Sequence, residues 1–111
     1  MELTQKEIRV YETVLGRRPY DEWFDDLDRS IQARVSSRLA RVRAGNLGDA
    51  TPVGQGVSEI RFHFGSGYRV YFAQEGDKVI LLLCAGDKSS QDKDIQKAKE
   101  YLDDFWRREN E

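Results

Sequence analysis

The sequence predicts an α+β domain over residues 1–111, with a mainly antiparallel four-stranded sheet and the element order β-α-α-β-β-β-α. Three observations predict this fold. Residues 59–70 alternate polar and apolar side chains around a Gly-Ser-Gly turn, and two amphipathic helical stripes precede them. A continuous apolar run at residues 79–85 then leads into a third helical stripe. We expect the helical hairpin on one face of the sheet and the C-terminal helix at the other side.

The first strand is predicted over residues 8–13, where Ile8 and Val10 alternate with polar neighbours. A helix should follow from Pro19, because proline suits the first helical turn. Its apolar positions recur at i, i+3, i+4 and i+7 and are Tyr20, Trp23, Phe24 and Leu27. A second helix, which should end near Gly45, has the apolar stripe Ile31, Val35, Leu39 and Val42.

The glycine-rich residues 45–56 are predicted to form a loop, and a hairpin should follow. Its Gly65-Ser66-Gly67 turn is expected to set Phe64 opposite Tyr68. The same register forms two further pairs, His63 with Arg69 and Arg61 with Tyr71. Two arginines, a histidine and a tyrosine would then share one patch of the sheet.

The run at residues 79–85 is predicted to be a central strand, because its lack of alternation requires cover on both faces. A two-residue turn at Gly76-Asp77 would set three pairs, Ala73 with Ile80, Tyr71 with Leu82 and Arg69 with Cys84. Lys88 follows this strand on the side of Arg69 and should join the polar patch. The last helix is expected from about residue 90 to 108, with the stripe Ile95, Ala98, Leu102 and Phe105.

Positive charge is concentrated in the middle of a chain whose net charge is −2. Residues 29–72 hold seven basic and two acidic side chains, so a nucleic-acid partner is permitted. Five arginines and no acid lie on the second helix, where Arg34, Arg38 and Arg41 line one flank of the apolar stripe. This flank is either a solvated face or a surface for RNA phosphate or an acidic protein segment.

Several classes of site are not expected from this composition. Cys84 is the single cysteine, so we predict neither an internal disulfide nor a Cys-x-x-Cys metal site. We also expect no cofactor. The chain has no apolar stretch of about 18 residues and no cationic leader before an apolar segment. We therefore expect a cytoplasmic protein with no membrane partner.

Three segments of the chain resemble the RelE/ParE superfamily of bacterial toxins, and most closely its HigB-like branch of phage-derived addiction-module killer proteins. They are residues 57–61, residues 64–72 with the Gly65-Ser66-Gly67 turn, and residues 82–95 with Gly86-Asp87-Lys88-Ser89. The resemblance implies a RelE-like fold and the toxin of a type II toxin–antitoxin system. Such toxins are commonly ribosome-dependent endoribonucleases that cut mRNA without a metal and are neutralised by an antitoxin, often of helix-turn-helix type.

Alternatives remain open within the same superfamily. Members on the ParE side inhibit DNA gyrase with much the same scaffold, and an inactive relative would only bind its antitoxin. In that case Arg34, Arg38 and Arg41 would be the docking face, and we assign antitoxin binding to them.

The candidate residues fit RNA cleavage, in which the ribose 2′-oxygen attacks the adjacent phosphorus. Arg61 and Arg69 would hold the phosphate through their planar guanidinium groups, and Lys88 would add positive charge. His63 would exchange a proton, and Tyr71 or Tyr68 would stack on a base or donate a hydrogen bond. Glu59 is either a general base or a partner of the arginines, and each cation could instead form an ordinary surface ion pair.

Overall fold

The computed structural model describes residues 5–110, which form a mixed sheet with the strand order β1-β5-β4-β3-β2. The strands are β1 (Glu7–Val10), β2 (Ala50–Gly54), β3 (Val57–Arg61), β4 (Arg69–Glu75) and β5 (Val79–Gly86). The helices are α1 (Pro19–Asp25), α2 (Arg29–Arg43) and α3 (Gln91–Glu109), with a 3-10 turn at Lys88–Ser90. The α+β class is confirmed. No helix within residues 5–110 has both the length and the hydropathy that a membrane crossing requires.

Two apolar layers bury the sheet from opposite sides. The layer beneath α1 and α2 includes Tyr20, Val35, Leu39, Val42, Ile60, Phe62, Val70, Phe72, Ile80 and Leu82. The layer beneath α3 includes Tyr11, Val57, Tyr71, Ala73, Leu81, Leu83, Cys84, Ala98 and Leu102. Residues of β5 contribute to both layers, which confirms the predicted cover on its two faces.

One strand lies where a loop was predicted. Residues 50–54 of the expected loop form β2, which pairs antiparallel with β3 at the edge of the sheet. An edge strand tolerates Pro52, which has no N–H, because no strand of residues 5–110 on its open side requires that donor. Gln55 and Gly56 both have positive φ, +53° and +85°, which is typical of a tight two-residue hairpin turn.

The first strand is shorter than predicted. It pairs parallel with β5 and ends at Val10 rather than at residue 13. Residues 13–16 instead form a turn, closed by a 2.9 Å hydrogen bond from the Gly16 N–H to the Thr13 carbonyl.

The predicted register of β4 against β5 is wrong by one to two residues. Glu75 pairs with Val79, so the turn holds three residues rather than two. A bulge between Tyr71 and Phe72 then moves the later pairs by a further residue. The observed pairs are Ala73 with Leu81, Tyr71 with Cys84 and Arg69 with Gly86. Arg69 still lies beside the end of β5, because its partner Gly86 is two residues before Lys88.

Candidate functional site

The polar residues of the hairpin meet where β3 ends and β4 begins. Arg61 pairs directly with Arg69 across the two strands, and Glu59 pairs with Tyr71. The three predicted pairs, Phe64–Tyr68, His63–Arg69 and Arg61–Tyr71, are therefore wrong by two residues. A shift by an even number keeps every side chain on its face, so Glu59, Arg61, Arg69 and Tyr71 still share the side covered by α3.

Aromatic packing makes the loop between these strands wider than its glycines predict. The Phe62 N–H donates to the Tyr68 carbonyl at 2.9 Å, which leaves residues 63–67 as the loop. The Tyr68 ring lies 6.1 Å from Trp23 and 5.8 Å from Phe64 between ring centroids. Gly65, at φ +60°, passes so close to Tyr68 that an added Cβ would lie 2.7 Å from the ring. These contacts hold the loop away from a tight turn.

Glu59 is fully buried and binds the two arginines of the site. Its Oε1 accepts a 2.7 Å hydrogen bond from Arg61 Nε, and its Oε2 accepts a 3.0 Å hydrogen bond from Gln91 Nε2. Arg69 Nε lies 3.6 Å from the same Oε2 atom. Burial favours a raised pKa for Glu59, but the hydrogen bonds from Arg61 and Gln91 outweigh it and hold the pKa below its ordinary value. Glu59 is therefore a carboxylate at neutral pH.

Two buried polar atoms beside Glu59 are not satisfied within residues 5–110. They are Arg69 Nε and the Tyr71 hydroxyl, neither of which makes a hydrogen bond. Burial and the charge of Glu59 raise the pKa of Tyr71, so its hydroxyl stays protonated. Arg69 donates one hydrogen bond from Nη1 to the Gly67 carbonyl at 3.0 Å. Unsatisfied donors of this kind are uncommon in a protein interior and often belong to functional sites.

A cleft of about 260 Å³, which we call the loop cleft, opens beside this network. Its charged side chains are Arg61, Arg69 and Lys88, and His63 lines it as well. The Arg61 side chain is 47% exposed, whereas the Arg69 side chain is 9% exposed and contributes to the wall. No carboxylate among residues 5–110 lines this cleft, and its three cations outnumber the Glu59 carboxylate that lies beneath Arg61 and Arg69.

A second cleft of about 460 Å³, the helix cleft, lies between α2 and residues 61–64. Arg34, Arg38 and Arg41 of α2 line it together with Arg61. Asp49 supplies the carboxylate of its lining and binds His63, with 2.9 Å between His63 Nε2 and Asp49 Oδ2. The arginines predicted for an antitoxin and an arginine predicted for RNA thus border one cavity.

The remaining predicted residues differ in how they reach these clefts. His63 is exposed and lines both clefts, while Lys88 is exposed and lines the loop cleft. Tyr71 is fully buried and lines neither, so its ring does not reach a base bound in either cleft. Glu59 is also buried, beneath the arginines rather than in the clefts.

The sequence did not single out Gln91, although its side chain is a direct partner of Glu59. It is the first residue of α3, and its contact joins positions 32 residues apart. The segment from Gly86 to Ser89, which leads into α3, is the part of the sequence pattern that comes closest to indicating Gln91. Within residues 5–110 no group of three His, Cys, Asp or Glu side chains is placed to hold a metal ion.

Comparison with known proteins gives two findings. Residues 22–103 match the family described as Phage derived protein Gp49-like (DUF891). An uncharacterized protein of Haemophilus influenzae is 42% identical over 81 residues, which cover 72% of this chain and 82% of that protein. The Gp49-like family is related to the RelE addiction-module toxins and is associated with toxin–antitoxin modules.

Proposed function

The chain belongs to the Gp49-like family of phage-derived proteins, and from this premise we propose that it is the toxin of a type II toxin–antitoxin pair. Residues 1–111 would form one toxin domain of the HigB-like branch that cleaves mRNA on the ribosome. The observation that carries this proposal is the meeting of Arg61 and Arg69 on the Glu59 carboxylate beside a cleft that Lys88 also lines. The family association supports an antitoxin partner, for which we propose the helix-turn-helix type.

The proposed reaction is transesterification within RNA. The ribose 2′-oxygen bonds to the adjacent phosphorus, the bond from phosphorus to the 5′-oxygen breaks, and a 2′,3′-cyclic phosphate and a 5′-hydroxyl result. The 2′-hydroxyl gives up its proton, and the leaving 5′-oxygen takes one. Negative charge grows on the phosphate oxygens in the transition state, so fixed cations around them lower the barrier.

The loop cleft offers groups for each of these needs. Arg61 is held by Glu59 through Nε, which leaves its two terminal nitrogens for phosphate oxygens, and Arg69 adds charge from the wall. His63 would accept the proton of the 2′-hydroxyl, and Lys88 would donate one to the 5′-oxygen. Glu59 and Tyr71 are buried, so we assign them positioning roles beneath the arginines.

Induced expression in bacteria tests this function. The wild-type chain should arrest growth and leave cleaved transcripts, whereas Arg61→Gln should abolish both effects while the fold, measured by circular dichroism, is retained. Arg107→Gln is a matched control, because Arg107 is exposed near the end of α3 and pairs only with Asp103 among residues 5–110. It removes the same charge and should leave toxicity unchanged.

Three results would contradict the proposal. Growth arrest with intact transcripts and a DNA-damage response would point to gyrase inhibition instead. Absence of arrest by the wild-type chain would favour a module that only binds its antitoxin. Full toxicity of a folded Arg61→Gln variant would remove Arg61 from the reaction.

A further inference from the structure

We propose that the helix cleft binds the single-stranded RNA that flanks the phosphate held at Arg61, so that the arginines of α2 extend the substrate site. This inference rests on the proposed function, because it deepens the same site. It assigns Arg34, Arg38 and Arg41 to RNA rather than to the antitoxin.

The spacing of these arginines suits a nucleic-acid strand. They lie at i, i+4 and i+7 on α2, and all three line the helix cleft. At 1.5 Å per residue this row is about 10 Å long. A strand stacked at about 3.4 Å per nucleotide would place roughly three phosphates along it.

The charge of the row is not neutralised by neighbouring acids. Within residues 5–110, Arg34, Arg38 and Arg41 form no ion pair, although Arg18 before α1 and Arg107 and Arg108 of α3 do. Burial, and then the like charge of Arg41, lower the pKa of Arg38. Asp49 also lines the cleft and hydrogen-bonds His63, so one carboxylate among the described residues faces the four arginines of the lining. A polyanion entering the cleft would therefore meet a net positive field.

One arginine of the row also offers a flat surface for a base. The Arg34 guanidinium carbon lies 3.9 Å from the centre of the Phe64 ring, so the ring supports the guanidinium group. Unstacked RNA bases commonly stack on arginine planes and aromatic rings. A strand would use both the stacking surface and the charges, whereas an acidic peptide would use the charges alone.

The two clefts share one wall, which favours one ligand for both. Arg61, Phe62, His63 and Phe64 line the loop cleft and the helix cleft alike. A phosphate held at Arg61 would thus be followed directly by the α2 arginines. This shared wall is the reason for choosing RNA over an acidic segment of the antitoxin.

Binding of uncleavable RNA tests the inference. The probes are fluorescein-labelled single strands of about 12 and about 4 nucleotides with 2′-O-methyl groups throughout, which cannot react through a 2′-hydroxyl. Fluorescence anisotropy gives Kd from about 50 to 200 mM salt. The variant is R34Q/R41Q, and the control is R29Q/R43Q, which removes two charges from the same helix but from residues outside the helix cleft. Arg38 is left unchanged, because it donates to the Leu47 carbonyl.

The expected result is specific to the variant and to the long strand. For R34Q/R41Q the slope of log Kd against log salt should fall by about 1.4, because two phosphate contacts are lost. Its affinity for the long strand should drop at least about fivefold at the lowest salt. The short strand, which Arg61 and the loop cleft would hold alone, should bind the variant and the wild type alike, and R29Q/R43Q should keep the wild-type slope.

Other outcomes overturn the inference, and they can be told apart from failure of the proposed function. Equal effects of the two double variants, or no RNA binding by the wild type, would refute the subsite. If R34Q/R41Q bound RNA like the wild type but was no longer neutralised by the antitoxin, these arginines would instead bind the antitoxin. Length-dependent binding that R34Q/R41Q weakens, without transcript cleavage in cells, would support the subsite and refute the nuclease.

Discussion

Replacing Glu59 with glutamine tests the buried ion-pair network at the centre of the site. Glutamine keeps one acceptor oxygen and nearly the same shape, but it removes the negative charge that faces Arg61 and Arg69. Arg61 is half exposed, so water can solvate it after the change. Arg69 is buried, and it would keep its charge without an anion beside it. The variant should therefore lose stability mainly through Arg69.

The size of this loss follows from the burial of the pair. Removing one partner of a buried ion pair costs about 3–5 kcal/mol, and we expect about 3, because the 3.6 Å separation between Arg69 and Glu59 is long. For a domain near this size, about 1 kcal/mol shifts Tm by roughly 4 °C, so Tm should fall by about 12 °C. A loss of this size is a large fraction of a total stability of about 5–15 kcal/mol.

The acid dependence of stability should change in the same variant. The pKa of Glu59 is lowered in the folded chain, so its ionisation stabilises the fold above the unfolded-state pKa of about 4.3. This contribution disappears as the pH falls through the lower folded-state pKa. Wild type should lose stability across that acidic window more steeply than Glu59→Gln, which has no carboxyl group there.

Thermal unfolding followed by circular dichroism, at neutral pH and in a series below pH 5, measures both effects. Asp103→Asn is the control, because it breaks an exposed pair with Arg107 and should leave Tm unchanged. Adding Arg69→Met to Glu59→Gln should recover more than half of the lost Tm, since it removes the unpaired buried charge. A Tm for Glu59→Gln within about 3 °C of wild type, or no recovery in the double variant, would refute this account of the network.

Two further predictions concern the loop and the core. Gly65→Ala should destabilise the chain more than Gly16→Ala in thermal unfolding. Both glycines have positive φ, which costs an alanine about 1–2 kcal/mol at either position. Only the Cβ added at position 65 would also meet the Tyr68 ring, at 2.7 Å. Equal losses of Tm in the two variants would show that the Tyr68 ring moves aside without cost and would contradict this prediction. Burial raises the pKa of Cys84 to about 12, so a thiol reagent at about pH 8 should label it in denaturant and not in the native chain. Rapid native labelling would contradict its burial.

The helices and strands that have a clear apolar pattern in the sequence were predictable, whereas β2, which has no such pattern, was not. The helical stripes and the apolar run at residues 79–85 carry their own signals, and the structure forms helices or strands at each. The segment Ala50–Gly54 has the composition of a loop, with Pro52 and Gly54 inside it. It becomes a strand because β3 offers a free edge and Gln55-Gly56 turns the chain back. That pairing depends on tertiary context rather than on the segment's own propensity.

The faces of the site were predictable, but its neighbours were not. Alternation fixes which side of β3 Glu59 and Arg61 occupy, and a two-residue shift leaves that unchanged. The loop length depends on the packing of Tyr68 against Trp23, which is 45 positions away in the sequence. In the same way, no local pattern reports that α2 lies beside residues 61–64. Contacts between segments distant in the sequence therefore determine the register of β3 against β4. They also bring the arginines of α2 beside Arg61.

The burial of Glu59 explains how the sheet presents Arg61 to solvent. A buried carboxylate loses its hydration, and this cost is offset only when donors replace the water. Arg61 and Gln91 are such donors, and they approach different oxygens of Glu59. The bond through Nε leaves the two terminal guanidinium nitrogens free of Glu59, and the half-exposed Arg61 side chain lines both clefts. The same contact thus contributes to stability and orients the group that we propose for phosphate, which links the two roles in one residue.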